Sequence, residues 1–200
     1  MNIFQSFQAI VILALAISCK EKQTASLEST ADTTEIKEYF PVYDFLSTEI
    51  SSVDSLPVGL KYYNTSNQKT DSGYISHKDF DKLASLFTPS AIKSEKFQTD
   101  FNETSFYDRS SKISTFMYQP VEPGNPVKRV DILTEATDSY DKVTSIYMES
   151  VNHSTDSSVL NKMIWKTGRF MQLNQQVNYP GKPAVERQIK VVWNNWEETQ

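Results

Sequence analysis

From residue 113 onward the chain reads as a succession of short extended segments parted by turn residues, and this restricts its fold more than any other feature. Ile113, Thr115 and Met117 alternate with their neighbours, and a break rich in Pro, Gly and Asn covers 120–126. Strand-like stretches then occupy 127–133, 142–151, 159–166 and 170–177. Val185, Arg187, Ile189, Val191 and Trp193 share one face of a last strand, because successive strand side chains point to opposite faces. Thr167-Gly168 suits a two-residue hairpin turn, which would pair Trp165 with Phe170 across the strands as core. Pro180-Gly181 occupy the two central positions that a type II turn favours. Loops this short join antiparallel neighbours, since a parallel pair needs a crossover of about a dozen residues. An antiparallel meander of six strands is expected.

The segment before it has a different period. Ile36, Tyr39, Phe40, Tyr43, Leu46 and Ile50 recur at helical spacing over 35–50, with Asp32 and Glu35 placed as a capping box. Pro41 within that stripe either kinks the helix or starts a second one. Short strands are expected at 60–63 and 73–75. Ser76 and Asp79 again have capping-box spacing, and Phe80, Leu83, Ala84 and Phe87 follow on one face of a helix. A weaker helical stretch over 90–101 carries Ile92 and Phe97. Helices first and strands afterward predict an α+β fold, with N-terminal helices packed on a C-terminal antiparallel sheet of about six strands.

Charge is unevenly spread. Residues 20–56 hold eight acids and three lysines, whereas the 17 acids and 17 bases beyond them cancel. A neutral body lacks the basic footprint of a nucleic-acid binder, so no nucleic-acid partner is expected.

The N-terminus carries the most specific signal for location. An apolar run over 9–17 ends in Ser18, Cys19 and then Lys20-Glu21-Lys22. Nine residues fall well short of the roughly 20 that span a membrane, and a short apolar core before small residues reads as a cleavable signal. Leu15-Ala16-Ile17-Ser18-Cys19 resembles the lipobox of bacterial lipoproteins, and the body resembles Bacteroidota lipoproteins of similar length. The resemblance implies that Cys19 is lipidated and that its acyl chains hold the protein in a membrane, by implication the outer membrane of the cell envelope. Lys20-Glu21 resembles the charged export signal of surface lipoproteins. The expected organisation is a signal peptide over 1–18, the lipidated cysteine and a polar tether over 19–33, and one globular domain over 34–200.

Little in the remainder points to chemistry. His77 stands one turn before Asp81, and two ligands do not complete a zinc site, so no metal is expected. His153 with Ser154 and Asp156 is a run of neighbours, not a triad assembled in space. The five glycines form no phosphate-cradling loop, and no cofactor is expected. Glu35/Glu38 and Asp79/Asp81 read as charged helix faces. Large aromatics make the candidate binding surface, with Tyr62, Tyr63, Trp193 and Trp196 singled out.

The expected function is a lipid-anchored cell-envelope protein acting as a non-enzymatic binding or structural module, its partner an envelope protein or a glycan. A carrier of a hydrophobic ligand held between sheet and helices is the alternative, and an enzyme comes third. If Cys19 bears the anchor, Cys19→Ala moves the protein from the membrane to the soluble fraction. Mass spectrometry of the mature N-terminus should find acylated Cys19, and an unmodified N-terminus would refute the anchor.

Overall fold

The computed structural model describes residues 39–137 and 141–194. Nine strands form one antiparallel sheet: β1 Leu60–Ser66, β2 Lys69–Ile75, β3 Phe101–Asp108, β4 Ile113–Pro120, β5 Val127–Ala136, β6 Asp141–His153, β7 Ser158–Lys166, β8 Phe170–Asn178 and β9 Val185–Val192. The helices are few and short, namely α1 Val42–Asp54, α2 His77–Ala84 and α3 Ser94–Asp100, with single 3-10 turns at Ser85–Phe87 and Ser90–Ile92. The expectation of N-terminal helices on about six C-terminal strands is therefore overturned. The β1–β2 hairpin belongs to the same sheet and precedes α2, and β3 adds a further strand where a helix was expected to end.

Strand order is β2-β1-β9-β8-β7-β6-β5-β4-β3, so β3 to β9 run as an unbroken meander and β1 pairs with β9. After β2 the chain stands at one edge of the sheet, and β3 lies at the other. Eight inter-strand steps of about 4.8 Å separate these edges along a flat sheet, roughly 38 Å. The segment of α2, the two 3-10 turns and α3 makes that crossing, and in crossing it supplies cover for one face. Every strand residue in the hydrophobic core lies on that face, among them Leu60, Tyr118, Val130, Ile132, Ile146, Met148, Met163, Trp165, Met171, Leu173, Ile189 and Val191.

Trp165 is the centre of this layer. Its ring meets Phe87 at 5.5 Å, Phe80 at 6.5 Å and Trp193 at 5.2 Å, and it is fully buried. The indole Nε1 donates to the Glu49 carboxylate of α1 at 3.1 Å, and the same oxygen accepts from the Gly168 backbone at 3.4 Å. Pro41 sits at the N-cap of α1, so the proline starts a helix instead of kinking one. At α2 the predicted cap is present: Asp79 N donates to Ser76 Oγ at 3.2 Å, and Ser76 Oγ donates to Asp79 Oδ2 at 2.8 Å.

The β7–β8 loop departs from the expected two-residue turn. Lys166 pairs with Phe170 and Trp165 with Met171, leaving three loop residues with Gly168 at φ +69°. Trp165 and Phe170 consequently lie on opposite faces, and the expected pairing does not occur. The β1–β2 hairpin does close with two residues, Asn67 and Gln68, at φ 50° and 62°.

Two stability effects follow. Gln68→Gly relieves a side chain held in the left-handed region and should stabilise the fold by about 1 kcal/mol. Glu49→Ala leaves a buried indole N–H without its acceptor and should cost about 1–3 kcal/mol. Chemical denaturation of both variants checks the signs.

Candidate functional site

The face of the sheet opposite the helices carries no residue of the core cluster, and its side chains form a lattice fixed by register. One row reads Lys162, Asn174, Gln188 and Thr65 across β7, β8, β9 and β1. The next reads Ile164, Gln172, Lys190 and Tyr63, and the one beyond it Lys166, Phe170, Val192 and Lys61. Leu160, Gln176 and Glu186 make the row on the other side. Strand β8 thus contributes a file of amides, Gln172, Asn174 and Gln176, along the middle of the surface. Gln172 Nε2 donates to Asn174 Oδ1 at 3.3 Å, and Gln176 Nε2 to Asn178 Oδ1 at 3.1 Å.

Some of the charged groups on this face are met by a partner and others are not. Over β5 and β6, Arg129 Nε donates to both oxygens of Asp131 at 2.7 and 2.9 Å, and the Tyr147 hydroxyl donates to Glu149 Oε2 at 3.0 Å. Burial first, and then that carboxylate, push the Tyr147 phenol up to about 12. The Asp131 carboxylate in turn holds the Arg129 guanidinium above its ordinary value. No carboxylate among the described residues pairs with Lys142 of β6, or with Lys162, Lys166 or Lys190 over β7 to β9. Lys190 Nζ instead stands 4.5 Å from the centre of the Phe170 ring, and Lys61 Nζ 5.1 Å from that of Tyr63.

At the end of this half lies an open cavity of about 620 Å³, lined by Thr65, Gln68, Leu160, Lys162, Asn174, Gln176, Glu186 and Gln188 among others. Arg187 borders it from the opposite side of β9, where its Nε donates to Asn64 Oδ1 at 2.7 Å and its Nη2 to the Tyr62 hydroxyl at 3.2 Å. Of the lining residues only Lys162, Glu186 and Arg187 are charged, and none is histidine. Such a set can hold polar ligand groups by hydrogen bonds and fix their orientation.

The residues singled out from the sequence separate on folding. Tyr62 packs against the core on the helix side, while its neighbour Tyr63 stands on the polar face. Trp193 is buried, edge-on to Phe80 at 6.0 Å and tilted against Trp165. Trp196 and Cys19 lie outside the described residues. His77 Nδ1 is 3.2 Å from Asp54 Oδ1 without a hydrogen-bonding angle, and no group of three or more His, Cys, Asp or Glu among the described residues could hold a metal ion. No described helix is long and apolar enough to cross a membrane.

The lattice on β7 to β9 was missed from sequence, although a signal was present. Gln172, Asn174 and Gln176 share one side of β8 while Met171 and Leu173 share the other, which assigns the amides to the face away from the core. No family model matches the chain, nor does any curated protein or solved structure.

The raised Tyr147 pKa has a consequence for stability. An unfolded tyrosine releases its proton near pH 10, whereas the folded one holds it up to about 12. Across that window the unfolded state binds fewer protons, so stability falls as pH rises. Tyr147→Phe should flatten the decline, and denaturant midpoints measured at pH 9.5 and 11.5 test it.

Proposed function

We propose that this chain is a lipid-anchored cell-envelope protein whose domain acts as a non-enzymatic binding module, with the polar face over β7 to β9 and β1 as its binding surface. The cavity of about 620 Å³ on that face carries the reading. Its volume falls within the range of roughly 300–1,000 Å³ typical of ligand sites. Its amides offer donors and acceptors side by side, which suits a hydroxyl-rich partner such as an envelope glycan. The lipid anchor would tie the module to the membrane, and the polar tether would let the surface reach ligands beyond the headgroups.

The carrier alternative has less support. It needs an apolar cavity between sheet and helices, where Phe80, Phe87, Trp165 and Trp193 pack on one another. A cavity at Tyr39, Phe40, Ile92 and Phe97 measures about 190 Å³ and falls below the ligand range.

Titration calorimetry of the full chain with envelope oligosaccharides tests the proposal. The double substitution Asn174→Ala and Gln188→Ala should weaken binding by about tenfold or more with the melting temperature unchanged. Binding unaffected by that change, or no saccharide bound at all, overturns it.

A further inference from the structure

We infer that this chain pairs with a second copy of itself through edge strand β3, antiparallel, about a two-fold axis at Ser105. The inference is independent of what the polar face binds. Strand β3 has β4 as its one neighbour, and its other side ends the sheet. The ladder decides which backbone groups it leaves there. Val121 N donates to Asp100 O at 2.8 Å, and Pro120 has no N–H to give, so Phe101 and Pro120 form a non-hydrogen-bonded pair. Asn102, Thr104, Phe106 and Asp108 therefore bond to β4, and Glu103, Ser105 and Tyr107 turn their N–H and C=O outward. The Tyr39 hydroxyl agrees with this direction, donating to Phe101 O at 3.0 Å. The outward groups of Ser105 and Tyr107 meet no partner among the described residues.

The sequence of this edge suits a copy of itself. Exposed edges are commonly blunted by Lys, Pro or a weakened strand. The opposite edge, β2, carries Lys69, Asp71 and Gly73, whereas β3 reads FNETSFYD, with no Lys, Pro or Gly. Its one charge near the middle, Glu103, is engaged by the Tyr118 hydroxyl of its own sheet. Phe106 on the polar face and Tyr107 on the helix side are 53% and 52% exposed, so both faces of this edge show an aromatic ring.

Pairing centred on Ser105 sets Glu103 against the partner's Tyr107, Thr104 against the partner's Phe106 and Asn102 against the partner's Asp108. All of 102–108 then lies in the ladder, with about six new backbone hydrogen bonds. The two Phe106 side chains become diagonal neighbours about 7–8 Å apart, within reach of one another, and no acid faces an acid. An axis at Thr104 would bring Glu103 diagonal to its own copy. An axis at Phe106 would run the ladder into the turn at Arg109 and shorten it. A foreign strand would meet the same backbone groups, but this self-complementarity selects a second copy.

Sedimentation equilibrium of the full chain, as its Cys19→Ala variant, tests the pairing. Seven residues per strand bury less than the roughly 1,200 Å² of a stable interface, so dimer should appear only towards about 0.1–1 mM. Over that range amide exchange should slow about threefold or more at Ser105 and Tyr107, while Thr104 and Phe106, already bonded to β4, keep their rates. Ser105→Pro removes an outward donor and leaves the β4 ladder intact, and Phe106→Lys sets like charges side by side across the axis. Each should weaken association at least about tenfold, with circular dichroism and the melting temperature establishing that the variant is folded. Tyr74→Lys, on edge β2, should change nothing. A monomer at every concentration overturns the inference, as does a dimer that both β3 variants leave intact. Assembly that grows beyond the dimer and falls with Tyr74→Lys assigns the contact to head-to-tail pairing of β2 with β3, and the two-fold axis falls. If the Ser105 and Tyr107 amides gain protection only when envelope extract is added, the edge belongs to a foreign strand and self-pairing is refuted.

Discussion

Trp165 stands on the helix side of β7, removed from solvent, with Phe80, Phe87 and Trp193 around its ring and Glu49 accepting from its indole nitrogen. A tryptophan of this kind buries about 150–250 Å². At about 25 cal/mol per Å² that contributes up to roughly 4–6 kcal/mol, an upper bound given a compact unfolded chain. The same contacts place three other segments. Glu49 draws α1 onto the sheet, Phe80 holds α2, and Phe87 holds the 3-10 turn after it. An eight-residue helix such as α2 is too short to be stable alone in water, so its position depends on this burial.

Fixing Trp165 inward also decides what its strand shows to the other side. With side chains alternating, Lys162, Ile164 and Lys166 must face away from the helices, and the ladder hydrogen bonds carry that choice through Asn174 and Phe170 to Gln188, Lys190 and Tyr63. An antiparallel sheet tolerates one solvated face, so nothing in the energetics of folding requires charge there to be paired. Lys142 of β6 and the three lysines over β7 to β9 all stand without a carboxylate partner among the described residues, as a solvated face allows.

Where local chemistry sets the structure, the sequence was readable. The Ser76 cap and the later strands follow from capping and alternation, whereas Pro41 allowed either a kink or a start and the helix expected from residue 35 begins only at Val42. Where distant pairing sets it, reading failed. Phe101–Asp108 forms edge strand β3, yet its sequence FNETSFYD has neither a regular apolar alternation nor a buried side chain after Phe101 to mark it. Nothing local in 60–63 and 73–75 shows that β1 joins the large sheet, because its partner β9 comes more than 100 residues later. Tyr62 and Tyr63 read as one surface, but neighbours in a strand cannot share a face.

The candidate site turns on a single residue of loop length. A two-residue turn after Lys166 would put Phe170, Gln172, Asn174 and Gln176 beside Trp165 and expel Met171 and Leu173 to solvent. Burying three amides at the cost of two apolar side chains is unfavourable by several kcal/mol, so the hairpin takes a third residue and Gly168 accepts the positive φ that this loop needs. Alternation alone is the same in both registers and does not choose between them. Burial chooses, and in keeping Met171 and Leu173 inside it turns Gln172, Asn174 and Gln176 to the solvated face.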